Sequence, residues 1–204
     1  MKKLFREIVR NLIRRIYPII EYVGRENENK KVMRLGNNLI RCGHSINLGP
    51  DWIVEGCKHI CIGNCFSAGK HLRIEAIDSF GGVTYSPKIV IGNDVRFEDY
   101  CHVGCVESVQ IGDGTLIASK VFISDHSHGA ISYEDLNNSP LGRPLYSKPI
   151  SIGKNVWIGD GVCILPGVSL GDNVIVGANA VVTHSFPPNS VIAGCPAKLL
   201  RMIK

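Results

Sequence analysis

An all-β chain wound as a parallel β-helix, preceded by one amphipathic α-helix and carrying one protruding loop, is the architecture this sequence predicts. The first observation behind it is a period. From Ile152 to Val182 an aliphatic residue stands at every sixth position, namely Ile152, Ile158, Ile164, Leu170, Val176 and Val182. An amphipathic helix repeats near 3.6 and a half-buried strand near 2, whereas a six-residue unit belongs to stacked coils of short parallel strands. Glycine follows the repeat residue at Gly153, Gly159, Gly171 and Gly177, where the backbone must bend. A small or β-branched residue stands four places on, at Val156, Val162, Val168, Val174 and Ala180. Three such units close one triangular coil, and the inward aliphatics of successive coils form the core. The second observation is an interruption, Ser124 to Lys148, too polar to be core. The third is a charge imbalance confined to the first 34 residues.

The chain has 204 residues, 45% apolar and 20% charged, enough for one domain with a proper core. No stretch reaches the roughly 18 apolar residues of a membrane span. The N-terminus lacks the apolar core and cleavage site of a secretory signal, so the expected location is the cytoplasm. Of eight cysteines, Cys57, Cys61 and Cys65 are four apart, and so are Cys101 and Cys105. These spacings differ from the C-x2-C pairs of structural zinc sites. Cys101 also falls in the small inward slot four after Phe97, so packing is the favoured reading, with disulfides or metal as alternatives.

Residues 1–34 form a basic amphipathic helix and linker, with ten Lys and Arg against four Glu; the remaining chain carries 13 basic and 14 acidic residues. Leu4, Phe5, Ile8, Val9, Leu12, Ile13, Ile16 and Ile20 recur at helical spacing, and Lys2, Lys3, Arg6, Arg10 and Arg14 take the other face. Residues 1–20 either cover the open end of the β-helix or a neighbouring subunit, or make peripheral contact with an anionic membrane, which would be the inner membrane. Without aromatic platforms or a reader motif, no nucleic acid is expected as a partner. Arg25 to Lys31 reads as a polar linker.

The β-helix occupies residues 35–192. Its repeat begins loosely at Ile40, Ile46 and Trp52, continues at Ile62, Ala68 and Ile74, and is interrupted by residues 75–88. Ile91, Phe97 and Val103 resume it; two extra residues, read as a corner bulge, precede Ile111, Ile117 and Ile123. The loop 124–148 follows, and the unbroken run starts directly after it at Ile150. Pro187-Pro188 is expected to end the coils, leaving residues 193–204 as a turn and a short basic C-terminal tail.

The chain contains no Walker or dinucleotide motif. Candidate chemistry therefore rests on histidine. His126 and His128 open the long loop beside Asp125, and a neutral imidazole with a pKa near 6.5 is suited to removing a proton from an attacking hydroxyl. A solvated loop histidine without a chemical role is the alternative at this point.

Asn155-Val-Trp-Ile-Gly-Asp-Gly-Val-Cys-Ile-Leu-Pro-Gly-Val, Gly177-Ala-Asn and Gly194-Cys-Pro-Ala-Lys resemble the hexapeptide-repeat acyltransferases, with the galactoside and maltose O-acetyltransferases nearest in pattern. Thr115 to Gly129 is similar to O-acetyltransferases of bacterial O-antigen and capsule gene clusters. The resemblance covers residues 85–204. It implies a left-handed β-helix, an exception to the right-handed crossover rule, assembled as a homotrimer that binds acetyl-CoA between subunits. It also implies transfer of acetyl to a sugar hydroxyl of a surface polysaccharide or its precursor in a direct ternary complex. The family's catalytic histidine lies five residues after the inward aliphatic before the loop; from Ile123 this selects His128, leaving His126 to orient substrate or base. The family motif usually continues His-Pro, where this chain has His128-Gly129.

The resemblance further implies an oxyanion donor in the backbone near Gly159 or Asp160, with Asp160 replacing a hydroxyl residue, and Trp157 packed behind the imidazole. A purely packing role for Trp157 is the alternative. Ala178, Thr183 and His184 would follow the pantetheine arm, His184 standing where relatives often carry Lys, and Lys198 and Arg201 would meet the nucleotide phosphates. Glu98, Asp99 and Tyr100 would face the sugar, with Asp125 nearby.

Three rival functions share this fold. A zinc site built from His102, His126 and His128 lacks the ligand spacing of the carbonic-anhydrase-like β-helices. A related acetyltransferase acting on a drug or amino acid, and a non-catalytic scaffold, are the others.

Overall fold

The computed structural model describes residues 2–130 and 132–204. The side chains of Lys3, Leu4, Phe5, Ile8 and Arg25, four of them in the expected amphipathic faces, lie outside the described residues. One helix, α1 (Lys2–Asn38), precedes short strands of two to five residues. Three sheets of six, eight and six strands, parallel except for the last strand of the eight-stranded one, make the faces of a triangular, left-handed parallel β-helix; they are called the first, second and third face in the order the chain visits them.

Register shows the coils directly. The inward residues run Cys42, Leu48, Val54; Ile62, Ala68, Ile74; Ile91, Phe97, Val103; Ile111, Ile117, Ile123; Ile152, Ile158, Ile164; and Leu170, Val176, Val182, each stacked on its counterpart one coil away. Ile60, Ile62, Ile74, Ile91, Ile117, Ile123 and Ile158 are wholly or almost wholly buried, forming one continuous apolar column. Stacking leaves no room above the bends. A Cβ on Gly63 would come within 2.5 Å of the Gly92 backbone. At one corner the coils are tied by a side-chain ladder. Asn64 Oδ1 accepts the His44 N–H, Asn93 Oδ1 accepts the Asn64 N–H, and Asp113 Oδ1 accepts the Asn93 N–H.

Three expectations are corrected. In the first coil Cys42, Leu48 and Val54 occupy the repeat position, not Ile40, Ile46 and Trp52. Ile40 is 60% exposed while Leu48 is buried. Two apolar series offset by two residues both repeat every six here, and the bulkier one lies two places before the axis-facing slot. Arg25 to Lys31 is not a linker but part of α1. Its Glu, Lys and Asn residues carry no breaker beyond Gly24, and Lys31 bonds Glu28 at 2.6 Å, three residues away. Leu35 and Leu39 are buried over the first coil, so the C-terminal end of the helix covers the end of the solenoid.

Pro187-Pro188 does not end the coils. Phe186 bridges to Leu170, Ser190–Ala193 adds a parallel strand on Ile175–Val176, and Lys198–Met202 turns back antiparallel on it. The C-terminal tail is thus the last strand of the second face.

All eight cysteines are free. Burial pushes the Cys101 thiol up to about 11 and raises that of Cys105 as well. In the native protein a thiol-specific reagent should therefore label the exposed Cys65 and Cys195, while Cys101 and Cys105 react only after denaturation. Peptide mapping by mass spectrometry checks this; native labelling of Cys101 at the rate of Cys65 would contradict the packing.

Candidate active site

The stacked coils leave excess chain one way out, and all four interruptions use the same corner, between the third face and the first; the earliest is the short turn Cys57–His59 between Val54 and Ile62. After Ile74 the chain makes a hairpin pairing Ser79–Phe80 with Val83–Thr84. After Val103 two extra residues intervene, and after Ile123 the long loop departs. The arrangement of side chains at this corner is set by one carboxylate.

Asp125 is fully buried, and its carboxylate accepts the N–H groups of Val106, Glu107 and Ser108, each at 2.8 Å. These three amides lie at the corner widened by the two-residue insertion. His126 Nδ1 lies 3.1 Å from Asp125 Oδ1, and the Asp125 carbonyl accepts the Lys148 N–H at 2.8 Å, closing the loop at its base. Burial by itself would raise the Asp125 pKa. The bond from His126 and the amides of Glu107 and Val106 outweigh it and hold the carboxyl below its usual value. Ser124 Oγ lies 3.3 Å from the same His126 nitrogen.

Within the loop, His126–His128 pairs antiparallel with Leu145–Ser147. This carries His128 outward. Its ring meets Phe80 edge-on at 5.1 Å, and the Tyr85 hydroxyl accepts the Leu145 N–H at 2.8 Å, so the earlier hairpin braces the loop. His128, Ser132, Tyr133, Asp135, Leu136 and Arg143 line a cavity of about 370 Å³. Asp135 accepts the N–H groups of Ser132 and Ala130, which with nearby Arg143 keep its carboxyl low.

A second carboxylate–imidazole pair lies beneath on the third face. Glu75 holds His102 Nε2 at 2.9 Å and Arg73 at 2.7 Å. Burial lowers the His102 pKa, against the raising effect of Glu75. Gly104 separates the two pairs: a Cβ there would stand 3.1 Å from His126 Cε1 and 3.8 Å from His102 Nε2. His102, His126 and His128 thus take three different partners, and among the described residues no three ligating side chains converge on a metal position.

The other sequence-selected residues fall elsewhere. Glu98, Asp99 and Tyr100, then Gly159 and Asp160, then Ala178 lie along the corner between the second and third faces. The structure brings these together, but the width of the third face separates them from His128. Trp157 stands outward on the second face between Leu116 and Ile175, 53% exposed, and so does not pack behind the imidazole of its own chain. The Gly159 N–H is already bonded to Val176 O at 2.9 Å, which removes it as an oxyanion donor and leaves Asp160 of the pair. Oδ1 of Asp99 accepts the Lys70 N–H and Oδ1 of Asp160 the Ser119 N–H, both as corner ladders. Thr183 and His184 lie at the loop's corner, two coils further on, with the His184 ring against Phe186. Lys198 and Arg201 are exposed on the terminal antiparallel strand.

Sequence reasoning missed Phe80, Tyr85 and the cavity-lining Tyr133 and Arg143. One signal was available, because each interruption follows the third residue of a coil.

Residues 149–184 match the family described as bacterial transferase hexapeptide (six repeats). A protein of Escherichia coli (strain K12), WbbJ, named as a lipopolysaccharide biosynthesis O-acetyl transferase, is 46% identical over 147 residues, 70% of this chain and 71% of its own. The chain belongs to the hexapeptide-repeat acetyltransferases. The galactoside O-acetyltransferase of the same organism is 46% identical over 96 residues, 47% of this acetyltransferase and 45% of its own length. The crystal structure of a maltose O-acetyltransferase from Clostridium difficile 630 superposes with a TM-score of 0.57 at 28% identity, covering 86% of this chain and 76% of that one.

Asp125→Asn keeps the shape and loses the charge that three amides and His126 address. The expected cost at pH 7 is about 2–3 kcal/mol. Because the folded pKa of Asp125 lies below the unfolded value, its contribution is present above about pH 3.9 and fades as the pH falls through the depressed folded value. Urea unfolding at neutral and at acidic pH should show the gap between variant and wild type shrinking in acid; an unchanged gap would contradict the charge assignment.

Proposed function

We propose that this acetyltransferase moves acetyl from acetyl-CoA to a sugar hydroxyl of a bacterial surface polysaccharide or its precursor, in the cytoplasm, with His128 as general base. The observation that carries the reading is the setting of His128. It is exposed at a 370 Å³ cavity, held by a strand pair and braced by Phe80, with its ring committed to an aromatic neighbour rather than to a carboxylate. The names of its relatives supply the acetyl group and the acceptor class.

In this mechanism the acceptor hydroxyl gives its proton to the imidazole as its oxygen bonds to the thioester carbon. The tetrahedral oxyanion collapses, the C–S bond breaks, and the imidazolium returns the proton to the departing CoA thiolate. No acyl-enzyme forms. The backbone N–H of Asp160 is the candidate oxyanion donor.

The placement of the residues supports a homotrimer. Glu98, Asp99, Tyr100, Gly159, Asp160 and Ala178 line one corner of the prism and His128 hangs from the next, so a single chain holds half a site at each. Threefold packing sets one chain's histidine corner against its neighbour's other corner. CoA would then lie between two subunits, with Thr183 and His184 from the loop's corner and Lys198 and Arg201 near its phosphates.

A second reading is favoured by one distance. His126 lies 3.1 Å from a buried carboxylate, the orientation of a carboxylate-steered base. The two readings separate by mutation. His128→Ala should leave a folded protein and reduce acetyl transfer by about two to four powers of ten, with His126→Ala the milder change. Release of CoA from labelled acetyl-CoA over a panel of sugars and glycolipids measures both, and wild-type turnover in His128→Ala would sink the assignment.

A further inference from the structure

The helix α1 has two unlike halves. Toward its C-terminal end, Val32 and Leu35 pack on the first coil, and Glu21, Gly24 and Glu28 overlook Asn47, Leu48 and Pro50. Earlier in the helix, Val9, Leu12, Ile13, Ile16, Ile19, Ile20 and Val23 stand between 37% and 62% exposed. At 3.6 residues per turn these seven define an arc roughly 120° away from the body-facing side. Extending the solenoid cap therefore cannot bury them.

We infer that this arc is a docking surface for an anionic lipid bilayer, on which the helix lies flat. Its borders fit that partner. Arg6 and Tyr17 stand along one edge of the arc and Arg15 and Tyr22 along the other, where basic groups reach headgroups while their stems cover acyl chains. Between residues 2 and 15 the helix holds six basic residues and one acidic residue. That excess complements an anionic surface, whereas packing the same segments of several copies side by side would bring like charges together. The apolar arc is also wider than the two-position seam of a coiled coil. No helix of the described residues is long and apolar enough to cross a membrane, which leaves lying on the surface as the geometry for it.

The test uses the full chain in vesicle co-sedimentation, with phosphatidylcholine alone or mixed with anionic phosphatidylglycerol. The protein should partition at least about tenfold better onto the anionic vesicles, and the joint change Arg6→Glu with Arg15→Glu should remove about that factor. Equal partitioning onto both vesicles, or none onto either, would overturn the inference. A paired variant, Ile13→Ser with Ile20→Ser, should lose vesicle binding while its sedimentation coefficient stays that of wild type; dissociation of an assembly with unchanged vesicle binding would instead make the arc a seam between copies. The assay needs no acceptor, and acetylation of a soluble sugar by these variants should stay at the wild-type rate, so its failure would leave the proposed transfer reaction standing.

Discussion

Parallel stacking at a strand spacing of about 4.8 Å is the constraint on which everything else in this molecule depends. Each coil gives its amides to the coil beside it, and the bends run so close that a Cβ on Gly112 would meet Gly153 backbone at 2.6 Å and one on Gly159 would meet the Ala178 nitrogen at 2.7 Å. A solenoid under this constraint cannot hold a cleft in its wall. Chain that does chemistry must leave at a corner, and here it leaves repeatedly at one. Leaving has a cost, because an insertion at a corner strips nearby amides of their ladder partners. Asp125 answers that cost for the insertion after Val103 by taking the amides of Val106, Glu107 and Ser108 on one buried carboxylate. The same residue then carries the departing loop.

The histidines at this corner differ in their partners. His102 and His126 each face a carboxylate, Glu75 and Asp125, and those carboxylates are tied to Arg73 or to backbone amides. Gly104 between them keeps the two imidazoles close without a side chain to part them. Both pairs stiffen the third face where it meets the loop. His128, one strand step beyond His126, has an aromatic edge contact instead and lines open space.

The inward aliphatics from Ile62 to Val182 and the position of the loop were legible in the sequence because a strict period encodes them. Phase at the end coil was not, since Ile40/Cys42, Ile46/Leu48 and Trp52/Val54 offer two apolar series with the same period. The helical state of residues 25–31 was hidden by polarity, which reports exposure rather than conformation. Asp99 and Asp160 looked like site residues by position, yet each spends one oxygen on the amide of the neighbouring coil, a use that only the stacked geometry reveals. Phe80 and Tyr85 were missed because they lie in a different interruption from the histidine they brace. Counting in threes would have joined them, since Ile74, Val103 and Ile123 all occupy the third face.

Repetition also explains why the residues of the proposed site fall at two different corners of one chain. Identical coils make three corners that differ only in what has been inserted or substituted there. Insertions mark the corner of His126 and His128, while the corner of Asp99, Asp160 and Ala178 stays smooth, with Gly159 and Ala178 in van der Waals reach of each other. A smooth corner offers a long wall and no base; an elaborated corner offers a base and no long wall. Within one rigid prism the two never meet, because the third face lies between them. The closed rotational assembly proposed above would set unlike corners of identical chains against each other at every interface.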